Sequence, residues 1–251
     1  MAKIAVELMS RLGNQMFELA AGYHLSKKYN KELFLKENGD RGYIKYPLIT
    51  DNRNIIPDTR GFHPLKEDKN QSYIDLSDVA NYDNVVIKGY FQSDKYFDRE
   101  DAEELFPIPD EIKEKYKYIE DKVCLSVRRG DYLNYPNLFI SPSKEWFEKC
   151  YHNHFEGKDV IIASDDIKWC KSNFKFPNQE FIENDDPTET MFIKACCKNH
   201  IISPSTFAWW SAYLSNGKVV APADWVGKNL KRNGFNETDK YVEGWIKEGM
   251  N

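Results

Sequence analysis

The sequence predicts an α/β protein with parallel sheets in two domains. Three observations predict it. Short apolar runs rich in β-branched residues recur along the chain, each the length of a buried strand. Helical patterns separate them at the spacing of strand–helix–strand units. A stretch at 107–120, opened by Pro107 and Pro109 and then dominated by Glu and Lys, interrupts the series. The expected division is residues 1–118, residues 119–236, and a helical tail, 237–251, crossing back to the first domain.

Residues 3–8 read as the first strand. A turn at Gly13 follows, and a helix opens near Asn14, an N-cap type of residue, with Phe17, Leu19, Ala20, Tyr23 and Leu25 in its apolar pattern. Such a strand–loop–helix corner presents backbone N–H groups to a ligand; the alternative is an ordinary βα turn. Its single glycine is not the Gly-x-Gly-x-x-Gly of a dinucleotide site. Residues 31–35 form a second short strand, 36–83 read as loops and short pieces, and 84–90 form another buried strand. A helix is expected to begin within 91–97.

The second half alternates cleanly. Strand 122–127 leads to a helix at 143–154, and strand 159–163 leads through Ser164-Asp165-Asp166 to a helix at 167–173. A helix at 187–198 carries Met191, Phe192, Ala195 and Cys196 on its apolar stripe. Strand 200–202, the corner Ser203-Pro204-Ser205-Thr206, a helix at 207–214 and strand 218–221 complete the pattern.

Composition bounds the function. With 251 residues, 41% hydrophobic and 14% aromatic, the chain can bury a real core and is not disordered. A net charge of −5 excludes general nucleic-acid binding, which needs a basic footprint. No apolar stretch reaches the length of a membrane span, and the first residues read as a strand rather than a signal peptide. Five cysteines, an odd number with no Cys-x-x-Cys, fit reduced thiols in a cytoplasm. Any membrane association is expected to be peripheral, at the inner membrane surface.

The chemistry concentrates at three strand ends. Arg128 and Arg129 follow the apolar run 123–127, with Gly130 and Asp131 next. Guanidinium forks match phosphate oxygens, and open α/β sheets bind ligands at the carboxyl ends of their strands. The alternative is a strand ending in solvated charges, with Arg129 pairing Asp131. Ser205 and Thr206 offer hydroxyls and helix N-terminal amides to a phosphate, or simply cap a helix. Asp165 and Asp166 suit ribose hydroxyls or a base edge, or again a cap. Trp209-Trp210 reads as core packing. The sequence has no Asp-x-Asp and no His/Cys/Glu ligand cluster, so neither a metal nor another cofactor is expected. Together the corners point to a nucleotide sugar.

Five segments occur in order: Leu12-Gly-Asn-Gln-Met-Phe17; Gly89-Tyr-Phe-Gln92 with Lys95-Tyr-Phe97; Arg128-Arg-Gly-Asp-Tyr132; Ser164-Asp-Asp166; and Ser205-Thr-Phe-Ala-Trp-Trp210. As a set they resemble the bacterial α-1,2-fucosyltransferases of glycosyltransferase family 11, from Ile4 to Trp225. The resemblance implies a GT-B-like α/β fold of two Rossmann-like domains facing a cleft, the first on the acceptor side and the second binding the donor. It implies metal-independent inverting transfer of L-fucose from GDP-L-fucose to the 2-hydroxyl of a terminal β-galactoside, free or lipid-linked. Carried across, Arg128 holds the β-phosphate and stabilises departing GDP, while Arg129 and Asp131 shape the loop. Ser205, Thr206 and Phe207 cradle the diphosphate, and Asp165 or Asp166 serves the nucleoside. Asn14 and Gln15 face fucose and acceptor. Asp131 is also the candidate general base. The sequence departs from the family pattern in three places: Ser126 stands where His is frequent, Pro204 where Asn is common, and Ser10-Arg11 where glycines are often paired. Alternatives are a transferase using another nucleotide sugar and an inactive nucleotide- or carbohydrate-binding module.

Overall fold

The structure, a computed structural model, describes residues 1–37 and 43–250. Residues 38–42, within the stretch read as loops, lie outside the described residues. The chain divides into two compact units. Unit 1 holds Met1–Pro107 together with Thr238–Tyr241, and unit 2 holds Ile108–Glu237 and the residues from Val242 on. The division falls after Pro107 rather than at 118.

Unit 1 contains β1 (Lys3–Leu8), α1 (Leu12–Lys28), β2 (Glu32–Glu37), the single turn α2 (Pro47–Thr50), β3 (His63–Lys66), β4 (Asn84–Lys88) and α3 (Arg99–Leu105). Its strands form one parallel sheet in the order β2-β1-β4-β3. Val6 sits in register between Leu35 and Ile87, and all three side chains are fully buried. Runs such as Ile4-Ala5-Val6 lack alternation because both faces of a central parallel strand are covered. Two expectations change here. The stretch expected to be loop supplies β3, which contains Pro64; proline lacks an N–H and is tolerated because β3 is an edge strand. Residues 91–97 do not begin a helix. Phe91 has φ +48°, only a 3₁₀ turn at Asp94–Tyr96 follows, and the helix starts at Arg99.

Unit 2 contains α4 (Asp110–Lys115), β5 (Val123–Val127), α5 (Lys144–His154), β6 (Val160–Ser164), α6 (Ile167–Asn173), β7 (Glu180–Phe181), α7 (Pro187–Ala195), β8 (Asn199–Ile202), α8 (Thr206–Ser215), β9 (Lys218–Pro222), α9 (Lys228–Arg232) and β10 (Ile246–Glu248). The parallel sheet runs β10-β9-β8-β5-β6-β7. From β5 the chain winds outward through β6 and β7, then returns to β8 and winds the other way. This is the doubly wound Rossmann order, with its topological switch point between β5 and β8. Trp146, Phe147, Cys150 and Tyr151 form the buried stripe of α5, packed in one core with Val123, Leu125 and Phe174. Trp209 and Trp210 are core residues, with Trp209 stacked on Tyr213 at 4.6 Å.

The tail is not a helix. Thr238–Lys240 makes one 3₁₀ turn in unit 1, and the chain then supplies β10, which places Ile246 beside Val220 of β9. Gly244, at φ +84°, interrupts any helical path between them. Among the described residues all five cysteines are free thiols, and no helix is long and apolar enough to cross a membrane.

Candidate functional site

The switch point of unit 2 fixes the backbone of Arg128. Its N–H donates to Ser203 Oγ at 2.9 Å, and its carbonyl accepts from Ser141 Oγ at 2.9 Å. Ser203 N in turn donates to Ser126 O at 2.9 Å, which ties the ends of β5 and β8 together. An arginine held this way can aim its fork.

The fork is already engaged. Nη1 of Arg128 meets Asp165 Oδ2 at 2.9 Å, and Nη2 meets Asp131 Oδ1 at 2.5 Å. The guanidinium also lies 5.1 Å from the Tyr132 ring centre. Asp131 therefore pairs with Arg128 and not with Arg129. The 3₁₀ turn Gly130–Asn134 carries Asp131 back to Arg128, while Arg129 lies over Trp169, 3.6 Å from its ring centre, with Nε 3.3 Å from Asp166 Oδ2. Asp165 Oδ1 accepts the Arg129 N–H at 2.9 Å. Gly130 is required beneath it, because a Cβ there would collide with the Asp165 carboxylate. Asp166 caps α6 through the Trp169 N–H at 3.2 Å. Both aspartates thus support the arginine loop, one directly and one through Arg129 and α6.

The N-terminus of α8 lies at the end of β8, on the other side of the switch. Ser205 occupies its N-cap position with extended backbone, yet its side chain makes no capping bond. Ser205, Thr206 and Phe207 are half-buried. The hydroxyls are left for other work, and the positive end of the helix dipole favours an anion. Behind them Lys194 of α7 is only 2% exposed, with Nζ 4.6 Å from the Phe207 ring centre. Burial pushes its pKa down to about 8, against the pull of the Cys124 and Cys197 thiols.

The first-unit motif divides into two roles. Asn14 is half-buried, and its Oδ1 accepts from Gln92 Nε2 at 3.1 Å. Gln15 is wholly buried and donates from Nε2 to Ser10 O at 2.9 Å and Ile44 O at 2.8 Å. It props the Ser10 corner, where φ is +59°, and its amide is turned to that backbone rather than to open space as the sequence reading expects. The helix itself begins at Leu12, with Arg11 rather than Asn14 at the cap position. Ser126 is buried, and its hydroxyl has no hydrogen-bond partner. Among the described residues one group has a metal-ligand complement, His24, Asp98 and Asp101. Lys27 already places a cation against it, with Nζ 2.8 Å from Asp101 Oδ1.

Sequence reasoning missed three residues here. Ser203 locks Arg128, Trp169 carries Arg129, and Lys194 buries a charge beneath Phe207. A lysine among Met191, Phe192 and Ile193 was a visible signal, since lysine is almost never buried without purpose.

The model of a family described as "Glycosyl transferase family 11" matches residues 1–249. An α-1,2-colitosyltransferase of Escherichia coli is 26% identical, covering 98% of this chain and 99% of its own. The O-antigen biosynthesis glycosyltransferase WbnK, also of Escherichia coli, is 26% identical over 95% of this chain and 98% of its own. The galactoside 2-alpha-L-fucosyltransferase SEC1 of Bos taurus is 23% identical, covering 86% of this chain and 65% of its own. Among solved structures, POFUT1 in complex with GDP-fucose superposes with TM-score 0.54 at 12% identity, covering 86% of this chain and 95% of its own. A single-substitution mutant of Arabidopsis thaliana FUT1 in complex with GDP gives TM-score 0.51 at 11% identity, covering 88% of this chain and 70% of its own. These likenesses fix the fold as GT-B-like, built from parallel α/β units.

Proposed function

The chain belongs to glycosyl transferase family 11, and from that membership we propose that it transfers L-fucose from GDP-L-fucose to the 2-hydroxyl of a terminal β-galactoside. The observation that carries this reading is Arg128, locked at the Rossmann switch point to Ser203, two residues before the uncapped N-terminus of α8. Ligands of doubly wound sheets bind at such a point, and a diphosphate suits both partners.

The chemistry follows from the charges. In an inverting transfer the acceptor hydroxyl attacks C1 of the sugar from the side opposite the diphosphate. The C1–O bond breaks, and negative charge gathers on the departing β-phosphate. A guanidinium fixed in advance meets that charge without reorganising. The incoming diphosphate must first take over one arm of the Arg128 fork. Asp131 is the partner that yields, because its side chain is 52% exposed against 26% for Asp165. The base that takes the acceptor's proton works on the opposite face of the sugar, so Asp131, released on the leaving-group side, is not placed for that role. Ser205, Thr206 and the first amides of α8 hold the remaining phosphate oxygens. Positive charge comes from arginine and helix dipole, so no metal is needed. Arg129, on Trp169 and Asp166, keeps the loop in shape.

A second donor is favoured by one observation: a relative matching along nearly its full length is an α-1,2-colitosyltransferase. Colitose is fucose without its 3-hydroxyl, so the same diphosphate machinery would serve both. The test compares GDP-L-fucose and GDP-colitose as donors to a β-galactoside in excess EDTA. The fucose reading expects the higher kcat/KM with GDP-L-fucose and no loss to the chelator. Preference for GDP-colitose replaces the donor, and activity restored only by added Mg²⁺ or Mn²⁺ overturns the arginine account.

A further inference from the structure

Two buried acceptor atoms on one face of α1 have no donor. Gln15 and Glu18 are both 0% exposed, and their spacing of three residues makes them neighbours on the helix. Neither Gln15 Oε1 nor Glu18 Oε1 has a hydrogen-bond partner among the described residues. Buried polar atoms are nearly always bonded, so two orphans on one helix face need a cause.

The other half of each group is committed. Gln15 Nε2 donates to Ser10 O at 2.9 Å and to Ile44 O at 2.8 Å. Glu18 Oε2 accepts the Met9 N–H at 2.9 Å. Gln15 cannot turn its amide over to offer Glu18 a donor, because its oxygen would then meet two carbonyl oxygens. A carboxylate only accepts, whereas a protonated carboxyl has one O–H to give. A single proton on Glu18 Oε1 supplies the missing donor and satisfies both orphans.

The surrounding charges favour that proton. Two carboxylates act on Glu18, Glu7 of β1 and Glu67 beyond β3, and the Tyr43 phenol beyond β2 feels its charge. The cations around α1 are engaged elsewhere: Lys36 and Lys88 with Glu7, Lys45 with Glu37, Lys95 with Asp239, Arg99 with Glu103, and His24 and Lys27 with Asp101. Burial, with the two carboxylates, pushes the Glu18 pKa well up against the pull of the Met9 N–H.

The proton has a structural task. Ser10 holds φ +59°, a conformation that a non-glycine residue keeps only when its surroundings fix it. Glu18 fixes the amide just before it. Gln15 fixes its carbonyl, which also accepts the Ile44 N–H at 3.1 Å. Asn14 projects from the same first turn of α1. An ionised Glu18 would set bare acceptors against each other and pull the Gln15 amide from its two carbonyls.

We propose that Glu18 is a positioning residue, held as the neutral acid, that donates from Oε1 to Gln15 Oε1 and so locks the corner between β1 and α1. Deprotonation at alkaline pH releases the corner. Its effect on turnover rests on the transferase reading above; the proton itself does not.

The experiment compares wild type with Glu18→Gln, which puts an amide N–H where the acid has its O–H. Infrared difference spectra at pH 7 should show a protonated-carboxyl band in wild type that the variant lacks. Urea unfolding from pH 5 to 8 gives a second reading. A carboxyl that keeps its proton only in the folded chain makes stability fall as pH rises above the ordinary carboxylate range. The unfolding constant of wild type should therefore grow relative to that of Glu18→Gln by about tenfold per pH unit. No difference band, or a ratio that stays constant with pH, overturns the proposal. In Gln15→Met the acid band should move, since its receiver is gone; an unmoved band overturns the bond to Gln15. Transfer of fucose should decline at alkaline pH in wild type and hold in Glu18→Gln, and identical pH profiles overturn the positioning role. Absence of fucose transfer by both proteins counts against the transferase reading alone, because the spectra and the unfolding do not depend on it.

Discussion

Arg128 and Asp165 meet at 2.9 Å across the ends of β5 and β6, and the other oxygen of the same carboxylate takes the Arg129 N–H. One aspartate thus sets both arginines before any ligand arrives. Preorganisation of this kind is what makes a cation effective against charge that appears only in the transition state.

If Arg128 acts on the leaving group, Arg128→Lys and Arg128→Ala lower kcat by about 10²–10³-fold. Lysine keeps the charge but loses the two-armed geometry. Circular dichroism and melting should stay close to wild type, because the guanidinium is not part of the apolar core. A folded Arg128→Ala enzyme turning over within a few fold of wild type reduces this arginine to a surface charge.

Asp131 competes with the diphosphate for Arg128. Asp131→Asn removes that competing charge. GDP affinity should rise several-fold while kcat changes far less. Isothermal titration and initial rates read the two effects. Unchanged GDP affinity would show that the Asp131 ion pair is not what the donor displaces.

Ser205 and Thr206 stand at an N-terminus that their hydroxyls do not cap. Ser205→Ala with Thr206→Ala should leave the unliganded melting temperature nearly unchanged. The stabilisation by saturating GDP should shrink, since ligand stabilisation follows affinity by mass action. A lower unliganded melting point with an undiminished GDP shift would make the pair structural after all.

Lys194 gives a pH signature. Its pKa falls to about 8 in the folded chain from an ordinary 10.5, mainly through burial. Below pH 8 both states hold the proton and the folded state bears the full cost, about 3 kcal/mol. Between pH 8 and 10.5 the unfolded chain binds the proton that the folded chain has released, so stability rises with pH. Lys194→Met removes this dependence. Urea midpoints at pH 7, 9 and 10.5 should show wild type gaining on the variant as pH increases. A constant difference would mean that the buried amine does not titrate in this range.

Much of this was legible because the central strands are covered on both faces. β5 and β6 are apolar but for Ser126 and Ser164, β8 ends in Ile201-Ile202, and the reactive corners follow from where those runs stop. The tail reads as helical in sequence because β10 is three residues long and exists only by pairing with β9, which no local pattern encodes. The partner of Asp131 was missed for a related reason. A 3₁₀ turn decides it, and a turn's hydrogen bonds leave no periodic trace. Gln15 is expected at a ligand because glutamine is usually exposed, and nothing in its neighbours announces that the Ser10 and Ile44 carbonyls hold its amide.

The route of the chain has a consequence for synthesis. Unit 1 receives Asp239, which takes the Tyr73 N–H and the Lys95 ammonium, only after nearly all of unit 2 has left the ribosome. Unit 2 waits longer still, for β10. Each unit is completed only by residues after Glu237, and a stop codon there would take a piece from each. Nascent chains should therefore stay more open to chaperones and proteases until β10 has emerged, with the last pieces of both units arriving within a few residues of each other.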